Sequence, residues 1–138
     1  MSAPVYLKPV PSPDNESRPF WEGLKEHKFL VQSCGECGRN RYPATTYCPQ
    51  CQSDRVKWIE STGKGSVFSW IVVRHPIPKE AYGSEVPYVT ALIDLDENVR
   101  IVSNIVGCDV MAIAGGMRVQ IGYDDVDGEL TLPICRPL

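Results

Sequence analysis

Cys34-Gly35-Glu36-Cys37-Gly38, followed after Tyr47 by Cys48-Pro49-Gln50-Cys51, places two cysteine pairs ten residues apart, with two residues inside each pair. That inner spacing lets both sulfurs of a pair point at one ion, with the amides of a tight turn aimed at them. Gly38 relieves the turn after the first pair, and Pro49 stiffens the second. Four thiolates make a closed tetrahedral site of the structural type, and zinc suits it better than iron in such ribbons. A redox centre would need one such pair, so its duplication argues against that use. Cys34, Cys37, Cys48 and Cys51 are therefore the predicted ligands of one structural zinc in a rubredoxin-like ribbon. Arg39 and Arg41, beside the first knuckle, are expected to offset the charge of the thiolates.

The flanks of the cysteine pairs read as strands: 28–33 leads into the first pair and 55–60 leaves the second. Upstream, Ser17-Arg18-Pro19-Phe20-Trp21-Glu22-Gly23-Leu24 predicts a short helix. Ser17 is its expected N-cap, Pro19 suits its first turn, and Phe20, Trp21 and Leu24 share one face that has to rest on something. The helix is expected to end near His27. Residues 1–16 hold Pro4, Pro9, Pro11 and Pro13 and read as an extended arm with little to bury, ordered only against another surface.

Beyond Gly63 five strand signals follow, around Val67–Val73, Val89–Leu95, Val99–Val106, Met117–Tyr123 and Leu130–Ile134. Asp109 to Gly116 fits one helical turn capped by Asp109. Five short strands in so small a unit fit a closed barrel of the OB-fold type, which hides sheet edges, although a sandwich has the same ingredients. The fold class is thus mainly β: a helix and zinc ribbon over 17–62 and a five-stranded OB-fold barrel over 63–138. Charge changes sign at the same place: residues 18–64 carry eight Lys/Arg against five Asp/Glu, and residues 65–138 carry five against ten.

Composition narrows the function classes. No apolar run approaches the roughly 18 residues of a membrane span, and Met1–Lys8 lacks the pattern of a secretory signal, so a cytoplasmic location is expected. Gly63-Lys64-Gly65-Ser66 ends like a phosphate loop, but Trp58 stands where the earlier glycine belongs, which leaves a flexible hinge. Cys108 and Cys135 read as buried inert thiols, His27 and His75 as surface or capping residues, and Asp124, Asp125 and Asp127 as a solvated turn. No nucleophile–base pair stands out. Phe20, Trp21, Tyr42 and Trp58 all fall in the metal-binding half, as internal packing or as a contact surface.

The succession Ser17-x-Pro19-Phe20-Trp21-Glu22-Gly23, Cys-x2-Cys-Gly at 34–38, Tyr42-Pro43, Cys48-Pro49-x-Cys51, Trp58, Gly63-x-Gly65-Ser66-Val67-Phe68-Ser69, Pro87-Tyr88-Val89 and Leu132-Pro133-Ile134-Cys135-Arg136-Pro137 resembles the acyl-CoA-associated zinc-ribbon/OB-fold family. Ala44 departs from a proline common there, and Ile134-Cys135 from a common aromatic. The resemblance implies an accessory subunit, without activity alone, that docks on a thiolase-fold acyl-CoA enzyme or on a hotdog-fold enoyl-CoA hydratase, including enzymes of steroid side-chain breakdown. CoA offers phosphates and an apolar arm, so Arg18, Lys25, Arg39 and Arg41, with Phe20, Trp21, Tyr42 and Trp58, are the expected acyl-CoA or partner contacts. A nucleic-acid module is the alternative from another class, disfavoured because the acidic barrel half repels phosphate.

Overall fold

The computed structural model describes residues 6–138. The ribbon is a three-stranded antiparallel sheet with β1 (Leu30–Cys34) between β2 (Asn40–Arg41) and β3 (Val56–Glu60). β2 was not expected; at two residues it is too short for any periodicity to announce. Helix α1 (Arg18–Lys25) has Pro19 in its first turn and turns Phe20 and Leu24 inward. Ser17 does not cap it through its side chain, because its own backbone is already helical. The cap lies upstream: Ser17 N donates to Asp14 Oδ1 at 2.8 Å, and Asp14 N donates to Ser17 Oγ at 3.2 Å.

The second half is a closed barrel. Its strands are β4 (Lys64–Val73), β5 (Tyr88–Leu95), β6 (Arg100–Ile105), β7 (Arg118–Asp125) and β8 (Thr131–Pro137), in the order β4-β5-β6-β8-β7. All neighbours are antiparallel except β6 and β8, which meet in parallel at Ile105 and Cys135. This is the OB arrangement the strand signals predict. Val89, Ala91, Ile93 and Leu95 point inward along β5, opposite Ile101 and Ile105 of β6 and Val119 and Ile121 of β7. A 3₁₀ turn at Val110–Ala112 is capped as expected, Asp109 accepting from Met111 N at 2.8 Å. A second short helix, α2 (Lys79–Tyr82), sits between β4 and β5.

Several expectations need correction. Gly63–Ser66 is no flexible hinge: Lys64–Ser66 pairs with β7, and Gly65 and Ser66 pair with β5 as well. A Cβ on Gly65 would lie 2.6 Å from the Asp94 carbonyl oxygen, so the glycine serves close strand approach. The simple alternation along β4 also breaks. Val67 faces Ile93 and Ser69 faces Leu92, so Phe68 is an extra residue in a bulge. After it Trp70 and Val72 oppose the inward Ala91 and Val89, while Ile71 turns outward. Cys135 is fully buried as expected, but Cys108 is exposed, since it falls in the loop after β6.

The two halves do not keep separate cores. Phe20, Leu24, Phe29 and Val31 join the barrel residues in one continuous buried cluster. Tyr6 to Pro13 form no helix or strand, yet Lys8 Nζ pairs with Glu85 at 2.6 Å and Val10, Pro11 and Pro13 lie in a groove beside α1, so the surface that receives this stretch belongs to the chain itself. Met1–Val5 of the expected arm lie outside the described residues.

Two polar clasps tie ribbon to barrel. Glu97, in the β5–β6 turn, accepts from Ser61 Oγ and from Thr62 N, and its carbonyl accepts from Asn40 Nδ2 at 2.9 Å. At the other side His27, in left-handed backbone after α1, stacks on Tyr123 at 4.8 Å and reaches Asp125 through Nε2 at 2.9 Å. Asp125 also accepts from Thr131 Oγ1, and Asp127 accepts from the amides of Glu129 and Leu130. The acidic turn is therefore internally bonded, and His27 is a clasp between elements.

The Thr131 hydroxyl, and after it His27, hold the Asp125 carboxyl below the usual carboxylate range. A depressed folded value gives stability that is full above the unfolded pKa of about 3.9 and is lost as pH falls through the folded one. Asp125→Asn should therefore melt lower than the wild type at neutral pH. Thermal melts from pH 7 downward should show the gap closing only below about pH 4.

Candidate metal centre and the aromatic face beside it

β1 delivers Cys34 at its end, and the chain turns at once: Gly38 N donates to the Cys34 carbonyl at 3.0 Å. Gly38 closes that turn with φ of 77°, a conformation that favours glycine. The second knuckle repeats the scheme, Gln52 N donating to the Cys48 carbonyl at 2.8 Å. Amides aim at the sulfurs as the spacing predicts: Glu36 N and Cys37 N lie 3.4 and 3.5 Å from Cys34 Sγ, and Gln50 N lies 3.4 Å from Cys48 Sγ.

All four Sγ atoms lie within 4.8 Å of one another, with Cys34–Cys51 at 3.5 Å and Cys37–Cys48 at 3.6 Å. A tetrahedron with metal–sulfur bonds of about 2.3 Å has edges of about 3.8 Å, so the donor set fits zinc. Cys34 and Cys48 are buried, Cys37 and Cys51 exposed. The Cys37 and Glu36 amides draw the Cys34 thiol down to about 6, and the Cys51 and Gln50 amides lower Cys48 against the opposing effect of burial. At Cys51 the Ser53 amide favours the thiolate, but local desolvation and its contacts with the other three sulfurs outweigh it and push the thiol up to about 11, although the residue is exposed. Bringing four sulfurs together thus makes the last thiolate expensive, and a cation resolves the conflict.

The expected role of Arg41 as a counter-charge is corrected, while Arg39 stays at the knuckles. Arg39 Nη1 donates to Gln50 Oε1 at 2.7 Å, linking the two knuckles, while Arg41 is 7% exposed and turned into the ribbon. Its Nε donates to Gln32 Oε1 at 2.8 Å and its Nη2 to the Thr45 carbonyl at 3.2 Å. The donors to the cysteine sulfurs are backbone amides, of Glu36, Cys37 and Gln50.

Of the expected contact residues, Phe20 is core, ringed edge-on by Trp21, Phe29 and Tyr42 at centroid distances of 5.2, 5.3 and 5.7 Å. Trp21, Tyr42 and Trp58 are half-buried and, with Phe20, Leu30, Gln32 and Arg41, line a cavity of about 250 Å³. Arg18 and Lys25 lie apart from it, exposed along a groove with Val10, Pro11 and Pro13. Sequence reasoning missed the exposed apolar residues on the outer barrel face. Phe68, Ile71 and Val102 are 53%, 62% and 58% exposed, and the Arg100 guanidinium lies 3.6 Å from the Phe68 ring centroid. Only the bulge puts Ile71 on that side.

Comparison with known proteins bears on this arrangement. Residues 21–57 match the model of the ChsH2 rubredoxin-like zinc ribbon domain, and residues 58–124 that of the ChsH2 C-terminal OB-fold domain. A DUF35 domain-containing scaffold protein of Methanocaldococcus jannaschii is 35% identical over 118 residues, 80% of this chain and 82% of the relative. The chain belongs to the ChsH2/DUF35 family. A probable enoyl-CoA hydratase alpha subunit of Thermomonospora curvata is 38% identical over 97% of this chain but only 41% of its own length. The 3-oxo-4,17-pregnadiene-20-carboxyl-CoA hydratase alpha subunit of Mycobacterium tuberculosis is 36% identical over 83% of this chain and 36% of its own length. The chain thus spans about two-fifths of the length of those two hydratase relatives. A solved structure described as Ltp2-ChsH2(DUF35) aldolase superposes with a TM-score of 0.85 at 38% identity, covering 93% of this chain and 98% of that one. No helix of the described residues is long and apolar enough to cross a membrane.

Replacing Cys34 by Ser leaves three thiolates and one weak donor, and structural zinc supplies roughly 10 kcal/mol of folding free energy in such sites. The variant should lose its metal by elemental analysis and lose the ribbon by amide exchange across β1–β3. Full metal content with unchanged protection would refute the structural role.

Proposed function

We propose that this chain is a non-catalytic accessory subunit that docks on a thiolase-fold acyl-CoA enzyme of aldolase, thiolase or acyltransferase type and helps bind or channel the acyl-CoA. It holds one structural zinc, and its place is the cytoplasm. The observation that carries this reading is the likeness, over nearly the full length of both chains, to the chain in the Ltp2-ChsH2(DUF35) aldolase. The relative from Mycobacterium tuberculosis, whose name carries a steroid-type acyl-CoA, points to steroid side-chain degradation as the setting.

A second reading has its own support. Two relatives are named alpha subunits of enoyl-CoA hydratases, which favours a hotdog-fold hydratase as the partner. Both readings give the chain the same physical task. It must present apolar surface to another subunit, and a patch such as Phe68, Ile71 and Val102 is what monomers rarely leave open. Trp21, Tyr42 and Trp58, together with Arg18, Lys25 and Arg39, remain the candidate contacts toward the partner or its CoA ligand. The nucleic-acid reading is weaker, since the barrel half has ten acidic residues against five basic.

Affinity purification of the tagged chain from its native host, with identification of the co-purifying subunit, decides between the partners. A thiolase-fold enzyme is expected; a hydratase would replace the first reading with the second, and a nucleic acid would refute both. Ile71→Asp combined with Val102→Asp should weaken the complex at least about tenfold, because desolvated apolar residues near an interface centre carry most of its energy. Unchanged zinc content and circular dichroism would confine the effect to the surface.

A further inference from the structure

One buried side-chain atom among the described residues has no hydrogen-bond partner, and it is Arg41 Nη1. The other two nitrogens of the same guanidinium are engaged, by Gln32 Oε1 and by the Thr45 carbonyl. Gln32 Oε1 in turn accepts from Thr45 N at 2.8 Å, so the glutamine has no further oxygen to offer. An arginine cannot shed its charge to escape burial. Leaving such a donor without an acceptor costs more than a neutral one, which is why native structures seldom do it.

Arg41 lines the cavity beside the ribbon, and the rest of that lining is mostly apolar: Phe20, Trp21, Leu30, Tyr42 and Trp58. An engineered apolar cavity of about 150 Å³ takes a benzene ring, so about 250 Å³ has room for a ring and a short side arm. Walls of this kind receive an apolar body, and a single cationic donor at one side fixes its polar end. Nη1 is covered by its surroundings, so an incoming acceptor has to displace a neighbour; of the 43–47 loop Pro43 and Ala44 line the cavity, while Thr45 is held by Arg41 and Gln32, so the shift falls on Pro43 and Ala44.

We propose that this cavity is a binding site for a small apolar carboxylate, an aryl or alkyl acid whose carboxylate takes the free Nη1 of Arg41 while its hydrocarbon lies among Trp21, Tyr42 and Trp58. The site is distinct from the cysteine cluster, and it stands whether or not the docking reading holds, because every residue in it belongs to this chain.

Two of the three tryptophans line the cavity, so intrinsic fluorescence of the zinc-loaded full chain reports on it directly. The probes are 3-phenylpropionate and 3-phenylpropan-1-ol, which share a hydrocarbon body and differ in charge. A hydrogen bond to a charged group contributes roughly 1.5 kcal/mol or more, so the acid should bind at least about tenfold more tightly than the alcohol. Arg41→Met should bring the two probes to the same affinity. That variant also loses the bonds to Gln32 and Thr45, so Ala44→Leu serves as the second: it fills the cavity from the loop side and keeps the arginine. It should abolish binding of both probes while zinc content and circular dichroism stay at wild-type values. Equal affinity for acid and alcohol in the wild type would overturn the proposal. So would absence of saturable binding, or binding that Ala44→Leu leaves intact.

Discussion

Three strands of five, two and five residues enclose almost no apolar volume of their own, and β1–β3 hold together because four cysteines at their ends converge on one point. The geometry that makes the cluster a good metal site makes it a poor cluster of free thiols. Its amides favour thiolates at Cys34 and Cys48, yet the crowding of the other three sulfurs penalises the thiolate at the exposed Cys51. A divalent cation removes that penalty and ties both knuckles to the sheet in one step. The rest of the first half leans on these strands and on the core shared with the barrel: α1 rests on β1, and Trp58 on β3 packs against that core. The barrel, by contrast, closes through its own ladders and needs no such staple.

The parts of this arrangement that could be read from the chain are those in which one residue type can do one job. Two Cys-x2-Cys pairs define the site by spacing alone, and strict alternation in Val89, Ala91, Ile93 and Leu95 leaves one face for the core. Reading failed where residue types are interchangeable. Val67, Phe68, Trp70, Ile71 and Val72 are all apolar, so either phase of β4 looks equally good, and the bulge that selects one is fixed by pairing with β5. Gly63 to Ser66 looks like a hinge because glycine is permissive; its other use, letting two strands approach closely, shows only when the Asp94 carbonyl is in place. Ser17 and Asp14 are both good caps, and the backbone angles at Ser17 decide between them.

Arg41 is the most instructive failure. Next to a cysteine knuckle an arginine reads as a counter-charge, and nothing in the local sequence says otherwise. Its direction is set by register: Gln32 stands opposite it across β1 and β2, and the pair lies on the face turned from solvent. A strand of two residues carries no alternation from which that face can be inferred. Cys108 and Cys135 differ for a similar reason, one lying just past the end of β6 and the other in β8 at the closure of the barrel.

The magnitudes explain how a small ribbon tolerates such a residue. An unmet buried donor costs about 1–3 kcal/mol, and more when it is charged. A domain stabilised only by its core has a total margin of about 5–15 kcal/mol, so this cost would be a serious fraction of it. Structural zinc in a four-cysteine ribbon supplies on the order of 10 kcal/mol, and it would act here at the knuckles. Stability and surface chemistry are thereby separated. A metal at the knuckles would fix the ends of β1–β3 by coordination, so the face beside them could keep half-buried rings and one unpaired guanidinium nitrogen, Arg41 Nη1, that a core-stabilised domain of this size would have replaced with packed hydrocarbon.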